Sequence, residues 1–499
     1  MSPYFKTFLL YSFAIGALVS IISCQPSGEL EKNTAPIGNI PGGSDIPPGD
    51  DPGSGGPGGD SDGGDNPPPD TSIDQIRRIS IGYDGKESGL GNYYKPSFSS
   101  DGKYVVFTST VSNLVANDTN NAEDVFLFNT KTNQTQRVSI ANDGIQANDN
   151  SRGSSISADG RYVVFTSKAS NLVANDTNDV GDIFLFDTQA QINLQINPMK
   201  RISISNSGTQ ANGSSYSCSI SSNGKYVVFN SSASNLVAND TNAKGDIFLF
   251  DTQTNQIKII SMGMNSQGAN GSSYSPFISG DGTYIVFESS ASNLVTDDTN
   301  GKGDIFLFYN TFFSTNPIKR ISVSPDEKNT NDESFLPSIS SDGTNINIVF
   351  SSNASNLIYY TGDTNQKEDI FLVHMEPTMT TTQTRISSGP NIANANNASS
   401  WPFISANGQY VVFESNASNL VSSDTNALND IFLSDTNRFQ IKRVSMGIDG
   451  HEANGNSSFS SISPDGKYIG FVSNASNLVA NDTNNSPDLF LIPTSVVIK

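Results

Sequence analysis

The chain has 499 residues, 49 of them acidic and 28 basic, with a formal net charge of −21. So large an acidic excess excludes an ordinary nucleic-acid binder, which needs basic surface against phosphate. Two cysteines and two histidines exclude a disulfide framework and leave little material for a histidine metal centre or a catalytic triad.

In chain order, the first element is an export signal over residues 1–23: Lys6, then an apolar run from Phe8 to Ile22, short for a membrane span. It leads into Ile21-Ile22-Ser23-Cys24, which resembles the lipobox of bacterial lipoproteins. That resemblance implies cleavage before Cys24 and lipid modification of its thiol, against the alternative of a plain secretory signal with an incidental cysteine. An anchor with several acyl chains holds a protein at a membrane durably. Gln25 after the cysteine points to the outer membrane. Residues 24–75 follow as a tether rich in Gly, Pro and Asp, as in Pro47-Pro48-Gly49-Asp50-Asp51. With almost no apolar surface to bury it is expected to stay disordered, spanning roughly 40 Å.

From residue 76 the chain repeats itself seven times. Ser99-Ser100-Asp101-Gly102-Lys103-Tyr104-Val105-Val106-Phe107 returns with Asp-Gly or Asn-Gly pairs beginning at 159, 223, 281, 342, 407 and 465. An Asp-Gly or Asn-Gly pair ahead of a β-branched and aromatic run is a hairpin signal. Each copy holds an entry strand, a strand like Lys103–Thr108, a loop and a strand like Asp124–Phe128; in the first six copies a last strand opening on Arg-Ile/Val-Ser follows, with Ile259 in the arginine slot of the third. Four short strands per repeat, at a period near 60 residues, predict an all-β, seven-bladed β-propeller of four-stranded antiparallel blades. The Arg-Ile/Val-Ser signature first appears at Arg78, before any hairpin, and the last hairpin has no such strand after it. A ring closed by the N-terminal strand is therefore expected, with Ser495–Ile498 as the alternative closing strand. Cys218 falls in a strand and reads as a small buried residue.

The copy Ser463-Pro464-Asp465-Gly466-Lys467-Tyr468 is similar to the Ser-Pro-Asp-Gly-Lys core of the WD40-like repeat in TolB-type β-propellers. Asp246–Asp251 and Arg201-Ile202-Ser203 resemble later strands of the same family. The resemblance covers residues 76–499 and carries over only the propeller, because the small α/β domain that precedes it in TolB is replaced here by the tether.

One feature recurs in every copy: Asp-Thr-Asn-x-x-x-Asp. Its oxygens lie at Asp118, Asn120 and Asp124; Asp176, Asn178 and Asp182; Asp240, Asn242 and Asp246; Asp298, Asn300 and Asp304. Three further sets are Asp363, Asn365 and Asp369; Asp424, Asn426 and Asp430; Asp482, Asn484 and Asp488. Alternating oxygen ligands in a loop suit Ca²⁺. The competing reading is an Asx-turn whose side chains satisfy loop N–H groups. Strand connectivity places these loops on one face with the Ala-Asn segments (Ala211-Asn212, Ala453-Asn454), and the Asp-Gly turns on the other.

Specific recognition belongs where copies differ. Candidate ligand-binding residues are Tyr93, Tyr94, Tyr359, Tyr360 and Trp401, with the long turns 189–198 and 312–317. Exposed aromatics stack on sugars and peptide side chains, while the competing role is packing between blades. No Gly-x-Ser-x-Gly elbow or phosphate-cradling loop is present, so no catalytic residue is assigned. The sequence reads as a monomeric, lipid-anchored envelope propeller that binds or scaffolds a protein or glycan. The alternative is a glycan hydrolase or lyase using carboxylates at the channel mouth, and such acids would be unique to one or two blades.

Overall fold

The computed structural model describes residues 75–89, 91–190, 198–310, 317–359, 362–376 and 381–499. The export signal, Cys24, the tether and Tyr360 lie outside them, as do most of the turns 189–198 and 312–317. Seven four-stranded antiparallel sheets form the ring. Blade one comprises Ser97–Phe98, Tyr104–Ser109, Asp124–Asn129 and Gln134–Arg137. Blade three comprises Ser215–Ile220, Tyr226–Ser231, Asp246–Asp251 and Gln256–Ile259. The first strands pack against those of the blades on either side, and that of blade seven packs against that of blade one. The circle is thus complete, with first strands innermost.

Closure uses the N-terminal strand. Arg77 and Arg78 pair with Leu491 and Phe490, making the outer strand of the last sheet, whose other strands are Ser457–Ile462, Tyr468–Ser473 and Asp488–Pro493. Ile79, 1% exposed, packs against Leu489 and Leu491. The alternative strand does not form: Thr494–Val497 is a single helical turn.

Six of the seven hairpin turns are built the same way. The Ser99 hydroxyl donates to Asp101 Oδ1 at 2.9 Å, and the Lys103 N–H donates to the same oxygen at 3.0 Å. Gly102 sits at φ +64°, a region open to glycine at no steric cost. A Cβ there would lie 2.3 Å from the Tyr468 ring of blade seven. Gly160 meets Tyr104, Gly224 meets Tyr162 and Gly282 meets Tyr226 in the same way. The turn glycine of one blade therefore seats the tyrosine of the blade before it. Blade five breaks the series: its turn is two residues longer, Asn347 stands in the tyrosine slot, and Gly343 meets nothing within 4 Å.

The cores lie between blades. Along Asp246–Asp251, Phe248 and Phe250 face blade two, while Ile247 and Leu249 face blade four. Both faces are buried, which explains the unbroken apolar runs. In every blade a strand-two phenylalanine stacks on a strand-three phenylalanine, from Phe107–Phe126 at 5.7 Å to Phe350–Phe371 at 6.1 Å. Cys218 is buried, and its thiol lies 3.2 Å from the Gly153 carbonyl oxygen. Burial pushes the thiol pKa up to about 12, so it stays an unreactive neutral group.

Candidate functional site

The recurring loop is a hydrogen-bonded bracket. In blade one, Asn120 Nδ2 donates to Asp124 Oδ2 at 2.8 Å and to the Ala147 carbonyl at 3.0 Å. That second bond reaches the connection after strand four, so both connections share a face, as the strand order predicts. Asp124 Oδ1 accepts from Ser139 at 2.5 Å, and the serine of Arg-Ile/Val-Ser does this in all seven blades.

Between the two aspartates stands an arginine from strand four. Arg201 Nη1 lies 2.7 Å from Asp176 and 3.3 Å from Asp182. Arg443 Nη1 lies 3.3 Å from Asp424, 3.4 Å from Asp430 and 2.7 Å from Glu452. Arg78 lies 3.4 Å from both Asp482 and Asp488. Arg137 and Arg320 also reach both aspartates of their loops, and Arg385 reaches Asp363 at 3.6 Å. In these six blades the positive charge that a cation would bring is already supplied by a guanidinium. Even so, burial raises Asp118 and Asp298 to about 6, because desolvation outweighs the pairing. Among the described residues no three His, Cys, Asp or Glu side chains converge as a metal cluster.

A different set of residues gathers at the channel. The first strands of blades two to seven are bulged, with positive φ at Gly153, Ser217, Ser275, Leu336, Trp401 and Phe459. Small residues on blades two to four and large ones on blades five to seven make the lumen asymmetric. Trp401 contacts Phe459 edge-on at 6.4 Å, and Tyr94 meets the same ring at 5.9 Å. Phe277 of blade four meets Phe403 of blade six at 5.2 Å, a contact between blades that are not neighbours. Of the aromatics picked from sequence, Tyr94 and Trp401 are thus brought together. Tyr93, 2% exposed and packed on Phe107, lies in the core. Strand alternation sends Tyr93 and Tyr94 to opposite sides. Tyr359, 62% exposed, lies elsewhere, on a groove between blades four and five lined also by Lys319, Gln383 and Ile392.

Acids that differ between blades meet this aromatic patch. Glu414 accepts from the Phe459 N–H at 2.6 Å and from Asn429 at 3.1 Å. Burial raises it to about 7, opposed by those bonds and by Lys95. Lys95 lies 4.1 Å from the centre of the Phe403 ring, and burial lowers it to about 8 against the pull of Glu414. Glu368 is raised to about 7 by burial, with Asp369 and Glu414 adding to the rise and Ser351 opposing it. Its Oε1 has no hydrogen-bond partner. Glu288 of blade four is likewise raised to about 7, by burial and by Glu333. Tyr94 donates to Glu123 at 2.9 Å, and Arg152 lies 3.2 Å from that carboxylate. Lys95, Glu288, Glu368 and Glu414 were not singled out from sequence. For Glu288 and Glu414 the signal was the next-to-last position of strand two, which reads Thr108, Thr166, Asn230, Glu288, Ser351, Glu414 and Val472 between nearly constant neighbours; Lys95 and Glu368 lie outside the strands and carried no such signal.

No protein-family model matches the chain, and no curated protein does. Among solved structures it is similar to a putative TolB from Agrobacterium tumefaciens, 17% identical over 59% of this chain and 80% of that one, TM-score 0.34. It is similar to TolB from Acinetobacter baumannii at 15% identity, covering 70% of this chain and 62% of that one, TM-score 0.35. It is also similar to an acylaminoacyl peptidase from Pyrococcus horikoshii at 10% identity, covering 78% of this chain and 49% of that one, TM-score 0.44. The chain spans less than two thirds of the length of the last two. What stands without them is the fold given by the strand pairing, a seven-bladed all-β propeller closed by its N-terminal strand.

Proposed function

We propose that the protein is a lipid-anchored envelope propeller that binds a protein or glycan at the mouth of its channel. Cys24 is the anchor, the tether sets the distance from the outer membrane, and the rigid ring presents the ligand site. The observation that carries the reading is the gathering of blade-specific side chains, Tyr94, Lys95, Trp401, Phe459 and Glu414, at one place. The Asp-Thr-Asn-x-x-x-Asp motif of the loops, by contrast, recurs in every blade. Aromatic faces beside a carboxylate and an ammonium suit a sugar or a peptide side chain, since stacking gives affinity and the polar groups give orientation.

The test is capture from envelope extracts by the purified chain carrying Cys24→Ser, compared with the same chain carrying Trp401→Ala and Phe459→Ala. Retention of a defined protein or glycan that falls about tenfold or more in the double variant is the expected result. Equal retention by both places the ligand elsewhere. Fractionation checks the anchor: the Cys24→Ser protein is expected in the soluble fraction and the unaltered protein with outer membranes.

A second reading has one specific support. Glu414 adds to the rise at Glu368, and both are raised to about 7, chiefly by burial, the range in which a carboxyl exchanges protons efficiently at neutral pH. A glycan hydrolase or lyase would use such a pair. Release of product from envelope polysaccharide, abolished by Glu414→Gln with binding retained, would favour it.

A further inference from the structure

Blade three departs from the other six at the loop bracket. Its strand four places Ile259 opposite Phe248, the register at which Arg201 faces Phe184 and Arg443 faces Phe432. The guanidinium is therefore missing where two buried carboxylates remain, Asp240 at 7% exposed and Asp246 at 0%. The arginine's polar partner is missing too: Gly268 stands where Gln210 and Glu452 bond Arg201 and Arg443. Both oxygens of Asp240, Oδ2 of Asp246 and the Asn242 amide nitrogen have no hydrogen-bond partner. The corresponding Asn amide and second Asp are bonded to each other in all six other blades. Burial raises both carboxyls, Asp246 to about 6 with Asp240 adding to the rise. Asn242 opposes both shifts, and among the described residues no Lys, Arg or His pairs with either acid.

Two uncompensated buried carboxylates are costly, and a bound cation is one of the few ways to remove the cost. In blades two, four, six and seven a single Nη1 atom lies within 3.8 Å of both aspartates, so one atom-sized charge can bridge the pair. The carbonyl one residue before the loop accepts from the arginine in blades four and six, Asp297 and Ser423; its blade-three counterpart is Asn239. Ile259 holds the register position from which the arginine side chain starts in the other blades.

We propose that blade three alone holds a divalent cation, Ca²⁺, between Asp240 and Asp246 with the Asn239 carbonyl, in the position that an arginine fills elsewhere. The ligands are all oxygens, as a hard cation requires. This site is independent of ligand capture at the channel.

The test is equilibrium dialysis of the chelator-stripped protein against CaCl₂, with MgCl₂ and KCl as separate arms and metal counted per chain. One Ca²⁺ per chain is expected, with Kd in roughly the 10⁻⁴–10⁻³ M range of weak extracellular sites. At about ten times Kd the melting temperature should rise by about 1–3 °C. Ile259→Arg, which restores the guanidinium, should abolish both effects. Asp240→Asn should abolish them while melting no lower than the metal-free parent, because it removes an unpaired buried charge. Zero or nearly seven Ca²⁺ per chain, preference for Mg²⁺ or K⁺, or Ca²⁺ binding that survives either substitution would overturn the proposal.

Discussion

Arg443 shows what the bracket does at the level of one side chain. Its Nη1 touches Asp424, Asp430 and Glu452, so Arg443→Met leaves buried carboxylates with no counter-charge. Breaking a buried pair from one side costs about 3–5 kcal/mol, and a lower denaturant midpoint at unchanged slope is expected for this variant. The same substitution made at Ile259 removes nothing, since blade three has already dispensed with the arginine. Here the sequence was legible only in part. The repeat of Asp118, Asn120 and Asp124 was plain, as was the absence of arginine at Ile259. That the arginine of strand four enters the loop of strands two and three depends on a contact between residues about 20 apart, which no local pattern shows.

At the scale of the element, the turn glycine is a hinge pin between blades. Gly102→Ala meets two obstacles, a φ of +64° and the Tyr468 ring at 2.3 Å, whereas Gly144→Ala at φ +84° meets nothing within 4 Å. The first should cost about 2–4 kcal/mol and the second about 1 kcal/mol, read as shifts in the denaturant midpoint. If the two cost the same, the glycine–tyrosine seat contributes nothing beyond backbone conformation. The closing strand makes a stronger case. Removing residues through Ser80 strips Leu491 and Phe490 of their partners and leaves a long flat edge, so self-association by light scattering and a lower melting temperature are expected. The sequence showed a seventh Arg-Ile-Ser ahead of the first hairpin, but both ends of the chain offered a candidate strand. Packing chose between them: Ile79 fits the core beside Leu489, and Thr494–Val497 turns away as a helix.

For the whole molecule, buried acids set the response to pH, with Asp118, Asp246, Asp298 and Asp369 raised to about 6 and the channel acids further. Glu288, Glu368 and Glu414 are each raised to about 7 from an ordinary 4.5. Between those values the folded state holds protons that the unfolded chain has released, so stability falls as pH rises. The stabilisation is fully present below about pH 4.5 and is lost through about pH 7. Lys95, lowered to about 8, acts in the opposite sense, and only above that value. A higher melting temperature near pH 5 than near pH 8 is expected, with a flatter profile in the Glu288→Gln, Glu414→Gln double variant. A profile that rises toward pH 8 would mean that these acids are hydrated in the lumen.

By itself the sequence determined the strand count, the order of elements, the face shared by the Asp-Thr-Asn loops and the acidic balance. These depend on turn chemistry, side-chain period and composition, which are local and repeat with the chain. Only the tertiary structure decided which strand closes the ring, that Tyr93 is core while Tyr94 and Trp401 meet Phe459, and that Lys95 of blade one lies beside Glu414 of blade six. Those facts arise where residues far apart in sequence converge on the ring's axis, and convergence on an axis is a property of the closed circle, not of any single repeat.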